Sequence, residues 1–221
     1  MSKVVCILVE GPTETEFVNS SLYPYLLKNG VSVVRPIGIE TSPGFKGGDV
    51  RYETRYKPNI LKLLRGTEDL LVTSLIDFYR LRSDFPKFQD AKKVTNVNER
   101  VGFIEKACCE DINDERFVPY IQLHEFEGLL FTKPNGFEQI ADISNRNLRE
   151  LKQIIIDYPN PELINEGPDT APGKRLSKLI PDYSKPLYGN FIALENGFDI
   201  ILEKCPRFKN WVELIIQKAT T

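Results

Sequence analysis

Residues 3–9 constrain the fold most, because they form a run of β-branched and apolar side chains without polar alternation. A strand with this pattern is buried on both faces, as strands are in parallel sheets covered by helices. The run ends at Glu10-Gly11-Pro12, and apolar residues then recur at helical spacing over residues 14–27, with Thr13 as the expected N-cap. The order strand, tight turn, helix predicts an α/β fold.

The same alternation repeats along the first part of the chain. Residues 31–39 and 70–76 predict a second and a third strand, and residues 117–123 a fourth, in which Pro119 indicates an edge position or a bulge. Strands that alternate with helices favour a mostly parallel four-stranded sheet flanked by helices. We therefore expect an α/β domain over residues 1–132 and a helical C-terminal extension, broken by prolines and packed on that domain, over residues 133–221.

Composition limits the class of protein. Hydrophobic residues make up 41% and charged residues 27% of the 221 positions, which suits a packed core. The net charge of −2 is low for a protein that coats duplex DNA, so nucleic-acid contacts must come from local patches or from a partner. Residues 1–10 do not resemble a signal peptide, and no stretch reaches the roughly 20 apolar residues that span a bilayer. We expect a cytoplasmic protein without membrane contact, whose four cysteines, lacking CxxC spacing, are buried thiols.

Acidic residues follow three of the four predicted strands. Glu10 follows the first strand, Asp77 the third, and Glu125 and Glu127 the fourth. Open parallel sheets bind ligands at the carboxyl ends of their strands, and carboxylates that converge there repel one another unless a cation lies between them. Oxygen ligands suit Mg²⁺ or Mn²⁺. The alternative is that these residues are solvated surface, and Glu16 is explained by the positive end of the first helix.

The residues after the fourth strand offer several candidates. His124 is the only histidine of the chain, and its near-neutral pKa in water suits proton transfer or a contact with phosphate, although it also suits a backbone-bonded residue at a helix start. Residues 124–131 are predicted to begin a helix. Glu127 then shares a face with His124, whereas Glu125 turns away, so Glu127 is the favoured metal ligand.

The string Val9-Glu10-Gly11-Pro12-Thr13-Glu14 resembles the first motif of the Toprim domain, which occurs in topoisomerases, primases, overcoming-lysogenization-defect nucleases and several phage-defence nucleases. The resemblance implies that Glu10 is a metal ligand or a general acid or base. The second Toprim motif is an aspartate-x-aspartate at a later strand end. Asp77 matches its first aspartate, Tyr79 stands in place of the second, and Asp84, Glu125 or Glu127 is expected to supply the missing oxygen.

Longer stretches are similar to an uncharacterised prokaryotic Toprim-like family that is known as a domain of unknown function, and this similarity covers nearly the whole chain. Among them are residues 75–79, 120–127, 159–162, 173–176 and 205–211. The similarity implies a Toprim-like, Rossmann-like fold.

Two basic segments are candidates for nucleic-acid binding. Lys174 and Arg175 could neutralise phosphates, although an ordinary solvated helix face explains them equally well. Arg51 and Arg55 alternate with Tyr52 and Tyr56 after a glycine-rich segment. Such interleaving suits single-stranded nucleic acid, where bases stack and phosphates pair with cations, and it also suits the start of an amphipathic helix.

These observations predict a divalent-metal-dependent nuclease or phosphoesterase. Mg²⁺ or Mn²⁺ would be held by Glu10, Asp77 and Glu127, and Glu14 or His124 would transfer protons. The resemblance to defence systems implies a partner ATPase of the AAA or ABC type and the role of an effector subunit in phage defence. The alternative is a non-catalytic Toprim-like interaction module that docks on an ATPase or on nucleic acid, and Tyr79 favours it.

Overall fold

The computed structural model describes residues 2–42, 45–46, 50–79, 81–164, 167 and 169–221, with the backbone alone at 40–42 and 45–46. The three glycines of the loop that precedes the basic segment, Gly44, Gly47 and Gly48, lie outside this range. The strands are β1 (Val4–Val9), β2 (Val34–Gly38), β3 (Glu40–Ser42), β4 (Phe45–Lys46), β5 (Leu70–Asp77), β6 (Phe117–Val118) and β7 (Ile121–Gln122).

The helices and helical turns fill most of the remaining chain. The α-helices are α1 (Pro12–Phe17), α2 (Tyr23–Lys28), α3 (Lys57–Leu64), α4 (Phe88–Ala91), α5 (Val97–Ile112), α6 (Asn135–Glu138), α7 (Asn145–Asp157), α8 (Pro172–Leu179), α9 (Asn190–Asn196), α10 (Phe198–Lys204) and α11 (Pro206–Thr220). The π-helical turns are Val18–Leu22, Tyr52–Tyr56 and Lys185–Gly189, and the 3-10 turns are Phe126–Leu130 and Pro161–Leu163.

The main sheet is parallel, in the order β2-β1-β5-β6, with β7 also paired to β5. β6 and β7 continue one another along β5 in one register, with Thr73 opposite Val118 and Ile76 opposite Ile121, and are separated by Pro119 and Tyr120. They end the strand order of the described sheet, which fits the edge position predicted from Pro119 and not a bulge. In the pairing, Val9 faces Leu75 and Asp77 faces Gln122. The carboxyl ends of β1, β5 and β7 therefore lie together at one edge of the sheet, and the predicted mostly parallel α/β fold with a helical C-terminal part is confirmed.

The C-terminal helices share a core with the sheet. The indole Nε1 of Trp211 on α11 donates a hydrogen bond of 2.8 Å to Thr73 Oγ1 on β5. The ring of Tyr120 stacks on Trp211 at a centroid distance of 4.5 Å. Buried side chains of β1 and β5 belong to the same apolar cluster as those of α9 to α11, whereas α3 and α5 cover the other face. The division of the chain at residue 132 stays a prediction.

The first helix differs from the prediction at its start. Its N-cap is Gly11, and Thr13 is buried inside the helix instead of capping it. The reason is Pro12, which occupies the first helical position, where its fixed φ fits and its missing N–H costs nothing. α1 and α2 are joined through the π-helical turn Val18–Leu22, so the predicted helix over residues 14–27 is present with an extra residue in its ladder.

The thiols are mostly inside the protein. Cys6, Cys108 and Cys205 are buried and free, as expected, whereas Cys109 is exposed. Within the described part of the chain, no helix is both long enough and apolar enough to cross a lipid bilayer.

Candidate active site

Glu10 and Asp77 follow or end neighbouring strands, and a hydrogen bond joins them. The backbone N–H of Asp77 donates to Glu10 Oε1 at 2.8 Å. Asp77 Oδ1 in turn accepts from the backbone N–H of Phe126 at 2.8 Å, which ties the end of β5 to the segment after β7. The structure thus confirms that these two residues approach each other at one edge of the sheet, and their binding of a metal stays a prediction.

The segment after β7 is not the α-helix that the sequence predicts. His124 has a left-handed backbone with φ of 59°, Glu125 is extended, and a 3-10 turn begins only at Phe126. Two hydrogen bonds to the end of β5 hold this shape, from the Phe126 N–H to Asp77 and from the Tyr79 N–H to the His124 carbonyl at 2.6 Å. His124 and Glu127 therefore do not share a helical face, and His124 is a buried residue of a tight turn.

Glu125 and Glu127 both reach the first turn of α8. The N–H of Gly173 donates to Glu125 Oε2 at 2.8 Å. A Cβ atom at Gly173 would lie only 3.1 Å from Glu125 Oε2 and 3.2 Å from Glu127 Oε1, so glycine permits this approach. The expectation that Glu125 turns away is wrong, because the extended backbone at Glu125 sends its side chain toward α8. Both carboxylates are buried.

Lys185 is the residue that the sequence analysis missed. Its Nζ lies 2.5 Å from Glu127 Oε1, and its side chain keeps 47% of its surface exposed whereas that of Glu127 keeps 1%. Among the described residues, no hydrogen-bond donor reaches Glu127 Oε2. The sequence signal was weak, because Lys185 lies far along the chain, in a π-helical turn that periodicity does not reveal.

The acidic residues perturb one another. The pKa of Glu10 is raised to about 8: burial is the largest cause, the carboxylates of Glu14 and Glu127 also raise it, and the Asp77 N–H and Lys185 lower it. Burial, followed by the charges of Glu10, Glu14 and Glu127, raises the pKa of Asp77 well above its usual range. Burial also raises the pKa of Glu14 and of Glu127. The cluster therefore holds more carboxylates than it can keep ionised without a further cation.

Lys185 balances part of this charge. Burial lowers its pKa, but Glu127, Asp77 and Glu125 together raise it more, so the ammonium stays charged. Its close ion pair among the described residues is with Glu127, and Asp77 and Glu125 act on it from farther away. The single charge of Lys185 cannot balance all of these carboxylates.

The acidic cluster opens into a cleft of about 480 Å³. Its described lining holds both acidic and basic side chains, and it comprises Glu10, Val50, Asp77, Tyr79, Leu81, Arg82, Glu125, Gly173, Lys174, Ser177 and Lys185. Such a cleft can receive a ligand that carries negative charge and binds a metal at the same time.

The donor set fits a hard divalent cation. Carboxylate oxygens from Glu10, Asp77 and Glu127 are the ligand type that Mg²⁺ and Mn²⁺ prefer. Glu127 Oε2 is a buried acceptor without a hydrogen-bond donor among the described residues, and a bound cation would satisfy it. In the described part of the chain, no three acidic, cysteine or histidine side chains form a preassembled metal-binding group. Glu125, placed beside Glu127 at Gly173, adds a further oxygen donor to the set.

The basic candidates separate into two groups. Lys174 is exposed and lines the cleft. Arg175 is held by structural contacts, since its Nε donates to the Thr170 carbonyl at 2.7 Å and its guanidinium lies over the ring of Tyr158, 5.6 Å from its centroid. Of these two neighbours, Lys174 is the one that a ligand in the cleft would meet.

The basic and aromatic segment is built differently from the prediction. Tyr52 and Tyr56 are fully buried, so the prediction that bases stack on these rings is wrong. Arg51 is exposed and Arg55 is half-buried. Asp84 accepts a hydrogen bond of 3.0 Å from the Tyr52 N–H and is not part of the described lining of the cleft. It holds the turn Tyr52–Tyr56, whereas Glu125 is the auxiliary carboxylate that does line the cleft.

The fold is similar to that of solved proteins. Over 98% of this chain and 98% of the other, it matches the C-terminal region of the OLD protein of Burkholderia pseudomallei with a TM-score of 0.52 and 19% sequence identity. It also matches the C-terminal region of the OLD protein of Xanthomonas campestris pv. campestris, with a TM-score of 0.47, 17% identity and coverage of 98% and 96%. No curated protein matches the chain. The family model described as "Domain of unknown function (DUF4276)" matches residues 9–216, and the chain therefore belongs to this family.

Proposed function

We propose that this protein is a divalent-metal-dependent nuclease, or a related phosphoesterase, that acts on nucleic acid. The observation that carries the proposal is the convergence of carboxylates at the carboxyl ends of three strands, where Glu10, Asp77 and Glu125 line one cleft and Glu127 lies beside Glu125 at Gly173. Their raised pKa values fit a site that needs a cation to ionise fully. The resemblance of the segment around Glu10 to the first Toprim motif gives the reaction class.

Glu10, Asp77 and Glu127 would hold Mg²⁺ or Mn²⁺, and Glu125 lies beside them as an alternative ligand. The ion, when bound, would polarise a phosphate and lower the pKa of an attacking water. Tyr79 occupies the position of the second Toprim aspartate at the cleft wall. Two glutamates from the turn after β7 supply the oxygen that Tyr79 cannot.

The chain's own charges would bind and orient the phosphate. Lys174, Lys185 and Arg82 line the same cleft as the carboxylates, and Lys185 is paired with Glu127. A phosphodiester in the cleft would place its charge near these cations and its ester bond toward the carboxylates. Burial raises the pKa of Glu14, and its charge raises the pKa of Glu10 and of Asp77. Glu14 is therefore the candidate to take a proton from water. His124, buried in its turn, stays a second candidate.

A nuclease assay tests this function. Purified protein is incubated with labelled DNA and RNA in Mg²⁺ or Mn²⁺, with Glu10→Gln and Asp77→Asn as test variants and Glu16→Gln as the control. We expect wild type and control to cleave, and both test variants to lose activity by about a hundredfold or more, because each removes a charged ligand but keeps its shape. Equal melting shifts with Mn²⁺ in wild type and Glu10→Gln would show that the ion, if any, binds elsewhere.

A non-catalytic interaction module is the second candidate, and the loss of the second aspartate at Tyr79 favours it. In that case the protein would dock on nucleic acid or on an ATPase of the AAA or ABC type, and the carboxylates would not cleave a phosphodiester. Repeating the assay with the product of the neighbouring gene separates the two candidates. Cleavage that requires the added protein would support an effector subunit controlled by an ATPase in phage defence.

A further inference from the structure

A second pocket adjoins the acidic cleft. It has a volume of about 370 Å³, and its described lining is Phe78, Tyr79, Leu81, Phe88, Ala91, Lys92, Arg100 and Ile104. Tyr79 and Leu81 line both spaces, so the pocket and the cleft meet at this wall. We propose that this pocket binds one unpaired nucleobase of the substrate whose phosphate lies in the acidic cleft. This inference rests on the proposed function and adds the substrate class, namely single-stranded or locally unpaired nucleic acid.

The position of the wall is fixed relative to the carboxylates. The Phe78 N–H donates to the Gln122 carbonyl at 2.9 Å, and the Tyr79 N–H donates to the His124 carbonyl at 2.6 Å, so both residues are held to the end of the sheet. Tyr79 is only two residues beyond Asp77, and two residues of extended chain span at most about 7 Å. A phosphate near Asp77 therefore places an attached nucleoside within reach of the pocket.

The chemistry of the pocket matches a base better than other ligands. Phe78, Leu81 and Phe88 provide apolar and aromatic surface, and Lys92 lies at 5.0 Å from the ring centroid of Phe88. A nucleobase has a flat π-face for the aromatic surface and polar edges for cationic donors. A free anion would not use the aromatic surface, and a purely apolar ligand would offer no polar edge to the ammonium of Lys92, which lies over the Phe88 ring.

The substrate must be unpaired to use this pocket. A base in a duplex is stacked and paired, so it enters a side pocket only after extrusion or from a single strand. The net charge of −2 agrees with this mode, because phosphate contacts along a duplex demand a basic surface that the chain lacks overall. Tyr79, which stands where the Toprim motif has an aspartate, would contact the base at the wall shared by the cleft and the pocket.

Phe88→Ala and Phe88→Leu test the pocket, and Phe103→Ala is the matched control. Phe88 is half-buried at the pocket, whereas Phe103 is a 40% exposed phenylalanine on α5 outside the described lining of either space. Leucine keeps apolar volume and guards against misfolding. Binding is measured in Mn²⁺ by the fluorescence of 2-aminopurine in a single-stranded oligonucleotide and in the matching duplex, and the Mn²⁺ melting shift is recorded for each variant.

We expect tighter binding of the single strand than of the duplex, and about tenfold weaker binding of the single strand by both Phe88 variants, with Phe103→Ala and all Mn²⁺ shifts unchanged. If wild type responds to Mn²⁺ and binds nucleic acid, but the Phe88 variants bind as well as wild type or the duplex binds equally, the nucleobase pocket is refuted and the nuclease proposal stands. If wild type shows neither a Mn²⁺ shift nor nucleic-acid binding, both proposals fail.

Discussion

Two buried acidic regions of this protein differ in how their charges are satisfied. Glu162 is 1% exposed, and its two oxygens accept the N–H groups of Arg207 at 2.9 Å and Phe208 at 3.0 Å, at the start of α11. Glu127 is equally buried, yet its only close cation is Lys185, and Oε2 has no hydrogen-bond donor among the described residues. Burial raises the pKa of both residues, so burial alone does not separate them.

The difference lies in what each region does with its charge. Around α11, the buried carboxylates have donors, since Arg207 also pairs with Glu105, which in turn accepts the Ile121 N–H at 2.7 Å, although Arg207 Nε has no acceptor among the described residues. That region joins α5, β7 and α11 and stabilises the fold. At the carboxyl ends of the strands, Glu127 Oε2 lacks a donor among the described residues, and a buried carboxylate of this kind is stabilised when a cation binds. A buried carboxylate is therefore evidence for a site when its donors are missing, and evidence for structure when they are present.

The largest effect on stability is expected at Glu162. Glu162→Ala removes both acceptors from the first turn of α11 and leaves two N–H groups buried, which we expect to lower the free energy of unfolding by about 2–4 kcal/mol. The melting shift caused by Mn²⁺ should stay equal to that of wild type. Chemical denaturation with and without Mn²⁺ measures both quantities. A variant that lost the Mn²⁺ response while still folded would show that the two regions are not independent.

The next effect is expected at Lys185. Lys185→Met keeps much of the side-chain volume but removes the cation from buried Glu127, so without metal the free energy of unfolding at pH 8 should fall by about 1–3 kcal/mol, less than for a fully buried pair because Lys185 is half exposed. The Mn²⁺ melting shift should grow, because the ion then supplies the missing charge. Lys178→Met serves as control, since Lys178 is exposed and only loosely paired, 3.9 Å from Glu150. An unchanged Mn²⁺ shift in Lys185→Met would mean that Lys185 and the ion do not compete.

A smaller effect is expected from pH. The ordinary pKa of Glu10 is 4.5 and the folded value is about 8, so the folded protein binds more protons in between, and stability should fall as pH rises from about 4.5 to 8. The slope for one such group is at most about 1.4 kcal/mol per pH unit. Glu10→Gln should flatten this decline and be more stable than wild type by about 1–2 kcal/mol at pH 8 in chelator, with no gain at pH 4. Melting curves across this range decide it, and a parallel decline in both proteins would contradict the assignment.

The strand ends were predictable, and the contacts between them were only partly so. Apolar runs and the acidic residues that follow them located Glu10, Asp77, Glu125 and Glu127, because the ends of parallel strands must meet at one edge. The direction of Glu125 was not predictable, since it depends on the left-handed turn at His124, which tertiary hydrogen bonds impose. The position of Lys185 was not predictable either, because it depends on an ion pair with Glu127, which lies far away in the sequence.

The sequence pattern of alternating basic and aromatic residues was misread because it does not show which side chains are buried. Tyr52 and Tyr56 carry a spacing that suits a binding strip, but their hydroxyls bond to Asp111 at 2.8 Å and Ser74 at 2.7 Å inside the protein. The role of Glu162 at the start of α11 was not predictable, although residues 159–162 belong to the family similarity, because its partners lie 45 and 46 residues away. Long-range hydrogen bonds of this kind are set by packing and leave no local signal.

The smallest effect is expected at Glu16, which provides an exposed carboxylate to compare with the buried ones. Glu16 is exposed on α1, six residues beyond Glu10, and lies past the first turn of the helix, whose acidic residue is Glu14, so the positive helix end does not account for Glu16 as the sequence suggested. Glu16→Gln should change stability by no more than about 0.5 kcal/mol, as substitutions of exposed residues usually do, and any effect should shrink at high salt because exposed charges are screened. Activity and the Mn²⁺ shift should equal those of wild type. The salt dependence of the melting temperature, compared with that of Glu10→Gln, measures the contrast. If Glu16→Gln reduced the Mn²⁺ shift as strongly as Glu10→Gln, Mn²⁺ would be responding to the overall negative charge of the surface. The buried carboxylates at the strand ends would then not be its ligands.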